Sequence, residues 1–195
     1  AVDFFNTYFP NVKNEIENLT EDFFKNPTSA MVTMKCYPWT YWDKVALVGD
    51  SAHAVVPFYG QGMNAGFEDI FVLDEIIQEF GDDWEKIFDT YQQRRKPNAD
   101  AIAELSYRNF VEMSSKTADA NFLLQKKIEK HFSAKHPDKW IPAYSRVTFS
   151  ERPYAEALAA GDAQESIMKE VMKTPNIEKK WDSVEVEKLM LDLIG

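Results

Sequence analysis

The residues best suited to do chemistry in this chain lie within residues 44–77. Asp50 follows a short apolar run and Gly49, so its carboxylate lies at a strand end where it can accept hydrogen bonds from a hydroxyl-bearing ligand. The loop at residues 57–62 leads into a helix that we expect to begin near Met63. Because helix N-termini carry unpaired N–H groups and partial positive charge, this start suits an anion or an electron-rich ring edge. The same spacing also fits an ordinary strand–helix turn in which Asp50 is only a cap.

The elements expected to position these residues are a buried strand and the helix that follows the loop. The apolar run at residues 45–48 predicts a strand covered on both faces. Helical spacing before Gly81 predicts an apolar stripe made of Met63, Gly66, Phe67, Ile70, Leu73, Ile77 and Phe80. Gly66 would allow close approach to the strand. We interpret Glu68 and Asp69 as solvated acids or as acids that match the helix dipole.

A basic triplet, Arg94, Arg95 and Lys96, follows in a second helix that Asp82 or Asp83 would cap. Basic residues are favoured in the last turn of a helix, so we place the triplet at a helix end. Phosphate binding by the same run is the alternative interpretation.

Pro97 predicts the first turn of a third helix at residues 98–114. Its apolar stripe includes one polar side chain, since it consists of Ile102, Leu105, Asn109 and Met113. A buried Asn must have its amide hydrogen-bonded, and backbone is the simplest partner. A fourth helix, spanning residues 122–132, is expected to end before His136 because a residue that precedes proline avoids the helical region.

The first part of the chain is rich in aromatic residues. Helical turns are expected near residues 3–8 and 20–25, with Thr20 as a cap and with Phe23 and Phe24 facing inward. A loose alternation then predicts a strand at residues 30–37.

The last part of the chain is expected to consist of a loop and several short helices. Residues 140–149, which include Tyr144, predict a loop followed by a short extended run. Helix starts are expected at Pro153, at Asp162 and at Asp182 or Ser183, with breaks at Gly161 and Pro175. The last helix could pack on the body or rest on a membrane surface.

Composition argues against several function classes. The net charge of −10 and the pI of about 4.8 disfavour nucleic-acid binding, because phosphate contacts need clustered Lys and Arg. Cys36 is the single cysteine and the histidine spacing fits no familiar metal site, so we expect neither a disulfide framework nor a metal. Ser51 and His53 could form a nucleophilic pair, but without a G-x-S-x-G elbow a hydrolase is disfavoured. No secretory signal or bilayer-spanning apolar run is present in the sequence.

The string GDSAH at residues 49–53, followed by PFYGQGMNAGFED at residues 57–69, is highly specific. It resembles the second FAD-binding motif of the class A flavoprotein aromatic hydroxylases, the para-hydroxybenzoate hydroxylase group, and within it the kynurenine 3-monooxygenase family. The resemblance implies an α/β flavoprotein hydroxylase fold in the whole enzyme, with this chain as a mostly α-helical part containing a few strands. None of the 7 glycines forms a G-x-G-x-x-G fingerprint, so we interpret the chain as the C-terminal portion of a longer enzyme.

The resemblance also implies how FAD would be bound. Asp50 would bind a ribityl hydroxyl of the cofactor. Backbone N–H groups of Gly62, Met63 and Asn64 would face the pyrimidine edge of the isoalloxazine, where they stabilise the negative charge of the reduced flavin. Gly60 would keep that approach free of a side chain.

Further residues are implied on the reacting side of the flavin. Pro57, Phe58 and Gln61 would be the catalytic positions beside the reacting carbon. The implied substrate-binding residues are Phe58, Tyr59, Asn109, Met113 and Tyr144.

The implied activity is hydroxylation of L-kynurenine to 3-hydroxykynurenine with NADPH and O2 through a C4a-hydroperoxyflavin, a step of tryptophan degradation and NAD biosynthesis. Residues 1–42 would end the sheet of the substrate-binding domain, residues 43–96 would complete the FAD-binding domain, and residues 97–195 would form a helical region closing the substrate pocket. The upstream half of the enzyme would be a necessary partner, and this chain alone is expected to be inactive. A flavin hydroxylase of another aromatic substrate and a non-catalytic helical interaction module are the alternatives.

By the same resemblance, the enzyme is expected on the cytosolic face of the mitochondrial outer membrane, with the cytoplasm as the alternative. Animal members of the family carry a hydrophobic C-terminal anchor. The last predicted helix is too short and too charged to span a bilayer, so at most a peripheral contact is expected from it.

Overall fold

Helices make up most of the protein in a computed structural model that describes residues 1–13 and 15–195. Contacts divide the chain into two units, Ala1–Met31 and Val32–Gly195. Only two short strands occur in the described ranges, which confirms the prediction of a mostly helical chain with few strands. All of the candidate site residues belong to the second unit. The three-domain division proposed from the sequence stays a prediction.

The first unit contains three short helices: α1 (Val2–Tyr8), α2 (Pro10–Lys13) and α3 (Leu19–Lys25). The two helices expected here are confirmed, but Asn18 rather than Thr20 occupies the N-cap of α3. Phe23 and Phe24 are both more than half exposed, so the prediction that they face inward is wrong. Neither α1 nor α3 contains a buried residue, so these helices have no buried face for the two rings to join.

The strands form a small antiparallel hairpin, in which β1 (Thr40–Tyr41) pairs with β2 (Val45–Ala46). The strand predicted at residues 45–48 therefore begins where expected but is shorter, and Val45 is 52% exposed. Burial on both faces requires sheet neighbours and covering layers, and within the described residues β2 has only the neighbour β1. The strand predicted at residues 30–37 is absent from the described structure.

The helix after the candidate loop, α5, spans Gly62–Phe80 and starts within one residue of the predicted position. A short helix, α4 (Asp50–His53), precedes it. Glycine packing brings the two together, since a Cβ on Gly66 would lie 3.8 Å from the Cα of Gly49. The predicted apolar stripe is only partly confirmed: Leu73, Ile77 and Phe80 pack on a buried cluster, whereas Met63, Phe67 and Ile70 are exposed. The fully buried residues of α5 are Ala65, Asp69 and Ile76.

The helix α6 is continuous from Trp84 to Val111, and the predicted break at Pro97 is wrong. Asp83 caps its start as expected, accepting a hydrogen bond from the Lys86 backbone. A proline inside a helix costs about 3 kcal/mol through its missing hydrogen bond and ring clash. Fully buried Tyr91 and Ile102, on either side of Pro97, show that tertiary packing outweighs this cost. The helix continues into a π-helical segment, Glu112–Lys116.

The C-terminal region contains α7 (Ala120–Lys135), α8 (Ala143–Thr148), α9 (Tyr154–Val171), α10 (Ile177–Lys180) and α11 (Val184–Ile194). The end of α7 and the capping of α11 by Ser183 agree with the predictions. The predicted extended run within residues 140–149 is instead the helix α8. The break expected at Gly161 and the helix start expected at Asp162 are wrong, since α9 continues through both residues. Gly161 lies where α9 approaches α8, with its Cβ position 3.5 Å from Ala143.

The last helix, α11, packs on the body of the second unit. Val186 and Met190 are buried in one cluster with Ile128 and Phe132 of α7 and Met168 of α9. Of the two options left open by the sequence, packing on the body is observed. None of the helices in the described ranges has both the length and the apolarity to cross a bilayer.

Candidate active site

Asp50 lies at the tip of a sharp turn and its side chain is exposed. Gly49 before it has φ of +60°, in the region that favours glycine. The hydroxyl of Ser51 accepts a hydrogen bond from the Val48 backbone at 3.1 Å and donates one to the Val48 carbonyl at 2.7 Å, which closes the turn. An exposed carboxylate on a turn fixed in this way is available to accept hydrogen bonds from a ligand.

A buried ionic network lies directly behind this turn. Asp69 is fully buried, and its Oδ2 accepts a hydrogen bond from the Gly49 N–H at 2.9 Å and lies 2.5 Å from Nε2 of His53. Its Oδ1 accepts a hydrogen bond from Nε of Arg95 at 2.7 Å. Arg95 also donates to Glu68 at 2.8 Å and to the Ala65 carbonyl at 3.1 Å.

The network keeps Asp69 ionised. Burial alone would raise the pKa of its carboxyl, but the hydrogen bonds from His53, Arg95 and Gly49 hold that pKa below its ordinary value. The contacts also exclude two alternatives from the sequence. Ser51 bonds to backbone and His53 to Asp69, so they form no nucleophilic pair, and Arg95 is engaged by carboxylates rather than free for phosphate.

Sequence reasoning missed this network. Asp69 was interpreted as solvated or dipole-matching, and Arg95 as a residue of a last helical turn. A signal was present in the sequence, since Asp69 is four residues after Ala65 and seven before Ile76, on one helical face. A charged residue on a buried face needs a partner of opposite charge.

The loop before α5 exposes the start of that helix to a ligand. Gln61 is the N-cap residue but is buried, and its Oε1 accepts hydrogen bonds from Asn64 at 2.8 Å and from the Tyr154 hydroxyl at 3.1 Å. The N–H groups of Gly62 and Met63 lie in the first turn of α5 and therefore have no intrahelical acceptor. No side chain among the described residues caps this helix start in their place. Gly60 has φ of +66°, and open space surrounds its Cβ position.

Three of the predicted substrate residues, Tyr59, Asn109 and Tyr144, line one open cleft of about 810 Å³. The rings of Tyr59 and Tyr144 stack with their centroids 5.4 Å apart. Charged side chains of both signs complete the lining: Arg108, Glu112, Lys116, Lys126, Glu129, Lys130 and Glu165. The cleft therefore combines aromatic surface with charged side chains of both signs.

The remaining predicted residues are placed differently. Phe58 does not line the cleft; its ring packs on that of Phe110 at 4.8 Å, and its carbonyl accepts a 2.7 Å hydrogen bond from Asn109 Nδ2. Met113 lies in the π-helical segment and is more than half exposed outside the cleft lining. Pro57 is exposed at the start of the loop. Asn109 thus bonds to backbone, the simplest partner that the sequence had suggested.

Tyr59 is the most perturbed titratable group of the cleft. Burial, together with the charge of Glu112 and the neighbouring Tyr144, raises the pKa of Tyr59 to about 12. Its hydroxyl therefore stays protonated at neutral pH and can donate a hydrogen bond to a polar group of a ligand.

A comparison with protein families indicates the class of protein to which the matched residues are similar. A family profile described as an FAD binding domain matches residues 14–106. The match covers the Asp50 turn, the loop, the whole of α5 and most of α6. This part of the chain has the FAD-binding domain of the flavoprotein hydroxylase fold, as the central motif implied, and FAD is its cofactor.

Three similar curated proteins from different organisms carry the same name. The chain is 69% identical over 191 residues to kynurenine 3-monooxygenase of Christiangramia forsetii, covering 98% of this chain and 43% of that protein. It is 70% identical over 192 residues to kynurenine 3-monooxygenase of Flavobacterium johnsoniae, with the same coverage. The protein of that name from Dictyostelium discoideum is 43% identical over 191 residues, covering 90% of this chain and 42% of the relative. The chain thus spans less than half the length of these relatives.

The residues present fit FAD. The exposed Asp50 carboxylate can accept hydrogen bonds from hydroxyl groups, and the uncapped start of α5 offers N–H donors. Gly49 and Gly66 bring the Asp50 turn against the second turn of α5, so both features belong to one surface.

Proposed function

We propose that the polypeptide carrying this chain is a flavin monooxygenase that hydroxylates L-kynurenine to 3-hydroxykynurenine, with NADPH and O2 as co-substrates. The observation that carries the proposal is the adjacency of a cofactor motif and a substrate-sized cleft. The loop at residues 57–62 leads into the uncapped start of α5, and Tyr59 within it lines the cleft. The choice of L-kynurenine as the substrate follows the name of the similar proteins, kynurenine 3-monooxygenase.

In this proposal Asp50 and the start of α5 hold the cofactor. Bound FAD supplies the chemistry of accepting electrons from NADPH and of activating O2. Asp50 accepts hydrogen bonds from the ribityl chain. The N–H groups of Gly62, Met63 and Asn64 would donate to the pyrimidine edge of the ring and would stabilise negative charge on it. Gly60 keeps side-chain atoms away from this approach.

The cleft suits a molecule with an aromatic ring and an amino-acid end. Tyr59 and Tyr144 provide flat surfaces that can stack on the aniline ring and exclude water from it. Kynurenine also carries an ammonium and a carboxylate, and the cleft is lined by cations such as Lys126 and Lys130 and by anions such as Glu112 and Glu129. Asn109 acts here by holding the Phe58 carbonyl and with it the loop beside the ring.

The activity is proposed for a polypeptide of the relatives' length, because this chain spans 43% of the relatives with the highest similarity cited above. The rest of such a polypeptide would be the partner of this chain. An apolar stripe on α5 supports this, since Met63, Phe67, Ile70 and Phe71 are each more than half exposed. Inactivity of the chain alone, peripheral contact of α11 with a membrane, and location at the mitochondrial outer membrane or in the cytoplasm remain predictions.

The test follows NADPH oxidation by the full-length polypeptide at saturating FAD, with and without L-kynurenine, and identifies products by mass spectrometry. Oxidation that depends on kynurenine, with a product heavier by one oxygen atom, is the expected result. NADPH oxidation without a hydroxylated product would point to another aromatic substrate. A purified polypeptide without stoichiometric yellow flavin would instead favour the non-catalytic module.

A further inference from the structure

We propose that Asp69 is a positioning residue for FAD, which fixes the direction of the Asp50 carboxylate relative to the start of α5. The inference rests on the proposed contact between Asp50 and the cofactor. Asp69 itself is fully buried and would touch no part of FAD. It would act through the turn that carries Asp50.

Asp69 binds both ends of the Asp50 turn, residues 49–53. Its Oδ2 accepts the N–H of Gly49, one residue before Asp50, and lies 2.5 Å from His53, three residues after it. Asp50 is therefore held between two residues that share one carboxylate oxygen. A turn bound at one end could shift, whereas a turn bound at both ends fixes the point at which the Asp50 side chain leaves the backbone.

Asp69 also belongs to α5, the helix whose start would face the flavin ring. One side chain thus connects the two features that bind opposite parts of the cofactor. A shift of the turn relative to α5 would spoil the fit of the ribityl chain when the ring edge is in place. Cofactor affinity should be sensitive to this spacing, because misplaced hydrogen-bond partners lose most of their contribution.

The second carboxylate oxygen anchors Asp69 from behind. Oδ1 accepts from Arg95 of α6, which is itself held by Glu68 and the Ala65 carbonyl. Arg95 keeps these two partners when Asp69 is changed to its isostere Asn. Asp69→Asn should therefore preserve the connection between α5 and α6. Its amide NH2 group would face one of the groups that now bind the carboxylate, from Gly49, His53 or Arg95, and that hydrogen bond would be lost.

A purely structural role is the competing explanation, in which the network only joins two helices. A double-mutant cycle on FAD affinity separates the two explanations, since residues that act through one another are not additive. The variants are Asp69→Asn, Asp50→Ala and the combination, made in the full-length polypeptide. The matched control is Glu79→Gln, which breaks the exposed Arg94–Glu79 pair of 2.8 Å between the same two helices.

The dissociation constant of FAD is measured by titrating each apoprotein and following quenching of flavin fluorescence. Each single variant is expected to raise the dissociation constant of FAD about tenfold or more. The dissociation constant of the double variant should stay within about threefold of that of the weaker-binding single variant. Visible circular dichroism of the bound flavin should change in Asp69→Asn, and Glu79→Gln should match wild type in both measurements.

The outcomes distinguish this inference from the proposed function. Unchanged FAD affinity in Asp50→Ala would remove the proposed cofactor contact and this inference with it. If both single variants weaken FAD binding and their effects on the dissociation constant multiply in the double variant, the role of Asp69 is rejected and the proposed function is not. Unchanged FAD affinity in Asp69→Asn would have the same consequence. If the Asp69→Asn apoprotein does not fold, the same cycle with His53→Leu decides, because that variant removes the hydrogen-bonding side chain at one end of the turn and leaves the bonds from Gly49 and Arg95 to Asp69.

Discussion

The Asp50 turn and the aromatic cleft are built in opposite ways. Behind the turn, one buried carboxylate is bound by Gly49, His53 and Arg95, so the backbone there has little freedom. The cleft is instead open and is lined by partly exposed rings and charged side chains, with Tyr144 51% exposed. A cofactor that stays bound needs a fixed site, whereas a substrate that enters and leaves needs an accessible one.

The comparison predicts that the largest loss of stability follows from breaking the buried network. Arg95→Met leaves Asp69 buried without its guanidinium partner, and such a change costs about 3–5 kcal/mol. The measurement is the free energy of unfolding from urea denaturation. The control is Arg94→Met, whose pair with Glu79 is exposed and should contribute less than about 1 kcal/mol. Equal losses in the two variants would contradict the distinction between the two regions.

The network also shows where sequence reasoning stops. The start of α5 and the Asp83 cap followed from local rules, because glycine, capping residues and helical spacing act within a few residues. The link between Asp69 and Arg95 joins residues 26 apart, and no local pattern identifies that pairing. The same limit explains α6, in which burial on both sides of Pro97 overrides a local signal to break.

For the candidate site, too, the local motif was informative and the long-range contacts were not. The motif at residues 49–69 predicts the cofactor residues, and the resemblance predicts Tyr59 and Tyr144 at the substrate side; the structure stacks these two rings, while the roles stay predictions. The sequence did not reveal that Gln61 would be buried against Tyr154, because that hydrogen bond joins residues 93 apart. Side-chain direction within a loop depends on such distant packing.

In the cleft, loss of a ring should affect substrate more than stability. Tyr144→Ala removes the stacking partner of Tyr59, and the KM for L-kynurenine is expected to rise about tenfold with FAD affinity unchanged. Steady-state kinetics and flavin titration of the full-length polypeptide measure the two effects. Phe149→Ala is the control, since Phe149 directly follows α8 and is exposed outside the cleft. If Tyr144→Ala also weakened FAD binding, the cleft and the cofactor site would not be separate binding regions.

Asn109 lines the cleft and also binds the loop that leads into α5, so its loss should have an intermediate effect. Asn109→Ala removes the 2.7 Å hydrogen bond to the Phe58 carbonyl and is expected to cost about 1 kcal/mol of stability. Because the loop beside the ring is then less fixed, the ratio of hydroxylated product to NADPH consumed should fall. Product analysis against NADPH oxidation measures this ratio, with Gln93→Ala, an exposed amide on the same helix, as the control. An unchanged ratio would show that Asn109 does not position the loop.

The smallest expected effect is a difference in how the two regions respond to pH. Asp69 has a lowered pKa, so its contribution to stability is present above the unfolded pKa and is lost as pH falls through the lower folded value. Tyr59 has a pKa raised from 10.0 to about 12, so its contribution is complete below pH 10 and is lost as pH rises toward 12. Tyr59→Phe should therefore reduce the alkaline loss of stability and leave the acid limb unchanged.

Urea denaturation of wild type and Tyr59→Phe at several pH values measures the two limbs. Tyr154→Phe is a useful companion, because Tyr154 also has a pKa raised to about 12 but lies against Gln61 rather than in the cleft. Both variants should flatten the alkaline limb, and only Tyr59→Phe should alter binding of L-kynurenine. An acid limb that changed in Tyr59→Phe would show that the cleft and the Asp69 network are energetically coupled, contrary to the separation argued here.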